Sequence, residues 1–455
     1  MQRLAKPLDA IRASYDVVVI GSGYGGGVSA SRLARAGQRV CVLERGREYL
    51  TGEFPSRFPD LRKELMVTGG RFGAAKKPGL YDFRYGEHIH VLTGCGVGGG
   101  SLINAGVSLR PDPRVFADPT FPAAFRLDGD RLDEAYERAR LWIRPVHDPA
   151  TARMTKHTAF EAASRGMPER PESAPVAVSF TDTTSAAGIA QQACTRCGDC
   201  CGGCNVGAKN TVALSYLPDA IANGAELFAE VKVLSVARDG SRWRIDFRPM
   251  DGKAGDQPAG SVAADIVVIA AGTLGSTELL LRSRERGLAV SDTIGSRFSA
   301  NGDIIAFGYN GRERVHAIGI GHPAKAGLAE VGAAVTAEIA IRNDGDLDHE
   351  MWVQEGVLPS ALGPLLPMMF VPGGKLLGAA EALIRGVYEG PLSRTHTFFV
   401  VSHDSAGGRV VLKDGAAAVD WAGVNEEPFL LRVDSMLASL CAGNGASYVK
   451  SPLAT

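Results

Sequence analysis

The chain has 455 residues, a formal net charge of −1, 45% apolar residues and 22% charged residues. Those values fit a globular protein with length for two domains. They give no electrostatic basis for binding nucleic acid or an anionic membrane. The N-terminal residues lack the apolar core of a secretory signal, and the nearest approach to a spanning helix, the uncharged residues 356–374, is broken by four prolines, so a cytoplasmic protein is expected.

Residues 16–20 are a short β-branched run, the pattern of a buried parallel strand. Gly21, Gly23 and Gly26 follow as G-x-G-x-x-G, with Tyr24 and Gly25 inside the turn. The first glycine permits a tight turn, the second a close backbone approach to a pyrophosphate, the third close helix packing. Val28, Ala30, Leu33 and Ala34 then recur at helical spacing up to Gly37, a natural stop. Residues 39–43 form a second strand that ends in Glu44, followed by Arg45. An acid about 20 residues past the glycines can accept hydrogen bonds from an adenosine ribose. Strand, turn, helix and acid together predict a site for an adenine dinucleotide.

A second cluster, residues 94–104, holds Gly96, Val97, Gly98, Gly99, Gly100, Ser101 and Asn104. So many small residues make sense where backbone approaches a flat or charged ligand. An amphipathic helix is expected over residues 131–142 and another helix over 213–222. Residues 225–236 and 243–247 alternate and are joined by Asp239 and Gly240, a hairpin signal. Residues 265–270 form another buried strand, which enters a turn at Ala271 and Gly272 and a helix through Leu281. Beyond residue 303 the alternating runs 335–341, 395–401, 409–412 and 416–421 predict a meandering antiparallel sheet. The expected class is α/β with α+β character. A Rossmann-like domain takes residues 13–120 and 205–308, a cysteine-containing insertion takes 121–204, and a mainly antiparallel substrate domain takes 309–455.

Five of the eight cysteines lie between Cys194 and Cys204. Cys194, Cys197, Cys200 and Cys204 have the spacing of a bacterial ferredoxin run, with Cys201 as an extra and Asn205 where proline usually follows. Three readings stand: a [4Fe–4S] cluster, a structural zinc, or reduced cysteines packing a tight loop.

The glycine turn at 21–27, the block at 94–104 and the turn at 270–276 occur in an order and at separations that resemble the glucose–methanol–choline (GMC) oxidoreductase family, in its cholesterol-oxidase-like branch. Segments 204–211, 298–303 and 402–408 extend the resemblance along most of the chain. The resemblance implies FAD. Gly21, Gly23 and Gly26 would cradle its pyrophosphate and Glu44 its ribose. Residues 96–104 would run along the flavin ring and ribityl chain. Val231 would meet adenine through its backbone, and Ala271, Gly272 and residues 301–303, with Asn301 and Asp303, would line the same cofactor. A second glycine block also favours a flavin over a nicotinamide, because bare N–H groups can stabilise charge on a reduced flavin.

The family's general base, a histidine in a C-terminal segment, has no match here, nor has the strand and helix that follow it. Either the chain is a fragment or it works without the usual base. His403, beside Asp404 at a strand end, is the best internal substitute, and Glu355 is a buried-acid candidate. Residues 356–374 read as an apolar lid and 375–385 as an amphipathic helix, which would suit a large apolar alcohol and transient membrane contact. The leading expectation is FAD-dependent oxidation of an apolar, sterol-like alcohol, with O2 or an external carrier as electron acceptor. The alternatives are a dehydrogenase subunit relaying electrons through the cysteine cluster, and an inactive flavin-binding fragment.

Overall fold

A computed structural model of the protein describes residues 2–69, 77–119, 121–126, 128–251, 257–343, 345–370 and 385–451. Strand Ser14–Ile20 pairs in parallel with Val40–Leu43 on one side and with Gly260–Ile269 on the other. Glu226–Phe228 extends the parallel set beyond Val40–Leu43. Both faces of this sheet are covered, which explains its near-continuous apolar runs. Val17, Val19, Val40 and Val42 pack against helices Tyr24–Arg35 and Tyr216–Ala222 through Ala30, Ala34, Leu217 and Ala220. Val18, Ile20, Cys41 and Leu43 pack the other way, against Val231, Val236, Ile245 and Phe247. Those four come from the antiparallel hairpin Val231–Asp239 and Arg242–Pro249.

Strand Gly260–Ile269 belongs to two ladders. Its first half pairs antiparallel with residues 243–247, and from Ala263 onward it pairs parallel with the first strand. Between Asp265 and Ile269 its outer edge has no ladder partner among the described residues, and Ile266 is 51% exposed.

A second sheet is wholly antiparallel, in the order Ser447–Lys450, Ile304–Tyr309, His396–Val401, Met351–Gly356, Ala337–Ile341, Glu172–Ser173. Helices Thr155–Ala163 and Pro428–Gly443 close its core through Phe160, Val433, Leu437 and Leu440 against Ile339, Val353 and Phe398. A small sheet of Leu65–Thr68, Tyr81–Arg84 and Val91–Gly94 delivers the chain to the second glycine loop.

Three expectations need correction. The run 225–236 is two strands, Glu226–Phe228 and Val231–Asp239, split at Glu230, whose φ of 60° turns the chain from the parallel layer into the hairpin layer. Arg409–Lys413 and Ala416–Asp420 do not continue the antiparallel sheet. They form a separate hairpin whose Val410, Val419 and Trp421 pack against Leu274 of helix Gly272–Glu285. Much of the described part of the supposed lid is core: Leu358, Leu362, Leu366, Met369 and Phe370 pack with Phe307 and Tyr309, whereas Leu365 and Met368 are exposed. Residues 371–384, and so nearly all of the expected amphipathic helix, lie outside the described residues. Among the described residues no helix is long and apolar enough to cross a membrane.

Candidate functional site

The site assembles where the parallel strands end. The chain leaves Ile20 into Gly21, whose φ is +95°, and a Cβ there would lie 2.5 Å from the Ala270 carbonyl oxygen. A Cβ on Gly26 would lie 1.9 Å from the Gly21 carbonyl oxygen, so helix Tyr24–Arg35 sits against the turn as only glycine allows. Gly99 in turn would place a Cβ 2.8 Å from the Gly23 Cα. The two glycine loops therefore touch backbone to backbone, with the Ala271–Gly272 turn beside the first.

Ser22 ties these parts together, a role that the sequence pattern left unassigned. Its hydroxyl donates to Glu44 Oε2 at 2.6 Å and accepts the Gly98 N–H at 3.0 Å. The buried Glu44 carboxylate also accepts N–H groups from Ser22 at 2.9 Å and Gly46 at 2.7 Å. Glu44 thus braces the corner between both loops, and Oε1, which accepts only the Gly46 N–H, still has a lone pair for an outside donor. Ser101 is buried, donating to the Gly98 carbonyl at 2.6 Å and accepting from Val212 N at 3.0 Å. Val97 is a core residue beneath the loop. Gly23, Gly25 and Gly100 leave bare backbone at the surface of this cradle.

Asn104 Nδ2 donates to the Tyr24 hydroxyl at 2.9 Å, whereas Asn104 Oδ1 is buried without a hydrogen-bond partner. A buried acceptor of this kind leaves a place for a ligand donor. The Val231 N–H is already taken by the Glu44 carbonyl at 2.8 Å, so any adenine contact falls to other backbone atoms. Arg45 pairs with Asp82 at 2.6 Å. Asp82 also holds Arg84, which bridges to Glu278, itself paired with Lys232 and Arg282. Burial pushes the Glu278 carboxyl up, but Lys232, Arg282 and Arg84 outweigh it and hold the group near 2. Burial lowers Lys232 to about 8. This network cements the glycine-loop sheet to helix Gly272–Glu285; its members are too scattered in sequence for spacing to reveal them.

Asn301 and Asp303 stand on the loop before strand Ile304–Tyr309. Asp404 zips that loop to residues 402–406, accepting N–H groups from Ala300 at 2.8 Å, Gly302 at 3.1 Å and Ala406 at 2.9 Å. Its carboxylate is therefore engaged with backbone, not with the adjacent His403. Crowding by surrounding atoms raises the Asp303 carboxyl to about 6, and Asp404 adds to the effect, although the side chain remains open to solvent. Glu355 is no free acid: it pairs with Lys156 Nζ at 3.2 Å and Thr336 Oγ1, all deeply buried.

The four spaced cysteines lie on the loop around the short turn Cys200–Gly202, behind residues 102–104. Burial raises the thiols of Cys194, Cys197 and Cys200, that of Cys197 to about 12. Among the described residues no group of three Cys, His, Asp or Glu side chains is placed to hold a metal ion.

The family model described as GMC oxidoreductase matches residues 33–300. A cholesterol oxidase of Mycobacterium tuberculosis is 29% identical over 401 residues, covering 82% of this chain and 61% of that protein. A cholesterol oxidase of Acinetobacter baumannii is 28% identical over 322 residues, covering 64% and 55%. A long-chain-alcohol oxidase of Arabidopsis thaliana is 28% identical over 228 residues, covering 49% and 26%. The chain thus spans about three fifths of the length of the first of these relatives.

Proposed function

The chain belongs to the GMC oxidoreductase family, and from that premise we propose that it is an FAD-dependent enzyme oxidising the CH–OH group of an apolar, sterol-like alcohol. The observation that carries the reading is the meeting of three small-residue turns, at Gly21, Gly99 and Ala271, on one patch of bare backbone. The partnerless Asn104 Oδ1 at its rim fits a ligand with donors of its own.

Gly21 to Gly26 would hold the pyrophosphate, Glu44 the adenosine ribose, and Gly96 to Asn104 the ring and ribityl chain. Bound FAD supplies a two-electron hydride acceptor. The protein's own part is to present backbone N–H groups without side-chain bulk, fixed in place by Ser22, Ser101 and Glu44 before any ligand arrives. For removal of the hydroxyl proton we name His403, on the loop that Asp404 locks beside Asn301 and Asp303. The relatives named for cholesterol and long-chain alcohols support an apolar substrate.

The test is direct. Purified protein should carry or take up FAD and should reduce it with a sterol or long-chain alcohol in preference to a sugar. Peroxide formation would identify O2 as the acceptor; its absence with turnover on a dye would identify an external carrier. Colourless protein that ignores added FAD refutes the proposal. A second reading, a flavoprotein dehydrogenase subunit with a Cys-ligated iron–sulfur cluster, draws on the cysteine loop.

A further inference from the structure

Lys209 is a cation in a place that folding alone does not favour. The residue is 2% exposed, and its ammonium donates to the carbonyls of Leu102 at 3.2 Å, Asn104 at 2.5 Å and Cys200 at 3.2 Å. Three acceptors meet three N–H donors, which is the complement of an ammonium; a neutral amine has only two to give. Burial lowers the group from its ordinary value, and the three carbonyls oppose that loss. Among the described residues no carboxylate pairs with it, and Cys200 offers its carbonyl rather than its sulfur. A buried charge without a counter-charge is costly, and an apolar side chain of similar size often serves packing as well or better.

The ammonium is fixed at the back of the second glycine loop. Leu102 ends the short helical turn Gly99–Leu102, and Asn104 carries the Oδ1 that lacks a partner. The segment that bears the lysine is itself pinned. Asn210 N–H donates to the Ala177 carbonyl at 2.8 Å, Ser179 N–H to the Ala208 carbonyl at 2.8 Å, and Val212 N–H to Ser101 Oγ at 3.0 Å. The stem passes beside Gly106, where a Cβ would lie 4.0 Å from Lys209 Cε.

We propose that Lys209 is a positioning residue for the redox step: its charge, held behind residues 96–104, favours the reduced, anionic state of a flavin lying against that loop. The inference rests on the FAD reading above and adds what this lysine does to that cofactor. When the alcohol is oxidised, its C–H bond breaks and the electron pair leaves with the hydrogen for the flavin, which gains one negative charge. The hydroxyl proton departs separately, and the C–O bond becomes double. A fixed cation stabilises the charged product more than the neutral oxidised ring. Two unit charges about 12 Å apart, at an effective dielectric of about 20, shift such an equilibrium roughly tenfold.

The experiment compares this chain with its Lys209→Gln and Lys209→Met variants, each loaded with FAD. Glutamine keeps N–H donors for the loop carbonyls without the charge, whereas methionine keeps only the stem. Flavin content and far-UV circular dichroism are recorded for each, and the flavin midpoint potential is measured by equilibration with a reference dye. Both variants should prefer reduced over oxidised flavin about tenfold less than the wild type, which lowers the midpoint by about 30 mV for a two-electron couple. Should Lys209→Met fail to fold, Lys209→Gln alone decides. A midpoint unchanged in the folded variants overturns the proposal. So does a midpoint that falls in Lys209→Met but stays at the wild-type value in Lys209→Gln, because the lysine would then be only a pin for the backbone. Tight FAD binding with equal midpoints leaves the FAD reading standing and removes this inference alone; wild-type chain that takes up no FAD defeats both.

Discussion

Gly100→Ala separates packing from ligand contact at the second glycine loop. A Cβ built on Gly100 meets nothing within 4 Å, and its φ lies outside the left-handed region. The free protein should therefore tolerate the methyl, and reduced freedom in the unfolded chain should add about 0.4–1 kcal/mol of stability. With FAD against the loop the same methyl becomes overpacking, which costs about 1–3 kcal/mol. That is roughly a 5- to 150-fold rise in Kd, at about 1.4 kcal/mol per tenfold. Gly26→Ala gives the contrast. Its Cβ would lie 1.9 Å from the Gly21 carbonyl oxygen, backbone that cannot rotate aside. Stability itself should fall there, by about 1–3 kcal/mol, and binding with it. The assay is a urea midpoint for each variant beside an FAD titration followed by flavin fluorescence. If Gly100→Ala binds FAD as tightly as the wild type at undiminished stability, the ring does not lie on this loop.

Other outcomes follow from buried charge. His396 is buried, stacks on Phe398 at 5.3 Å, has no partner for Nε2, and is lowered by burial from 6.5 to about 4. The unfolded chain therefore binds this proton first, so stability should drop by about 3 kcal/mol as pH falls from 6.5 to 4. His396→Phe should flatten that slope in urea melts at several pH values; an unchanged slope assigns the acid sensitivity elsewhere. Lys156→Met strands Glu355 in the core and should cost about 3–5 kcal/mol, most of it recovered in Lys156→Met/Glu355→Leu. A double variant no more stable than the single would show that the pair is not the source. Asp303, raised to about 6 by crowding, keeps its proton longer when folded. Its contribution is present at low pH and lost as pH rises through about 4 to 6, and Asp303→Asn should remove that window from the stability profile.

The opening strand, glycine turn and helix were legible because each rests on local rules: β-branched burial, a glycine where φ is positive, a glycine stop. Glu44 was legible as a position but not as a brace, because its partners Ser22 and Gly46 engage it only once strand and turn are side by side. The ion-pair network was invisible. Arg84 and Glu278 stand 194 residues apart, and no periodicity links them. Alternation located the strand pair at 409–420 without revealing its sheet, since a period of two says which side is apolar and not what covers it. Lys209 sits in a segment quoted for its family likeness, yet only the folded chain reveals that its ammonium is enclosed.

The outer rim of strand Gly260–Ile269 has a practical consequence. From Asp265 to Ile269 one row of peptide groups faces solvent with no neighbouring strand among the described residues, next to the half-exposed Ile266. Such a rim is a template for any extended backbone that drifts past. Preparations of this chain alone should therefore self-associate through it as concentration rises, and a lysine at position 266 is the simplest way to keep them dispersed.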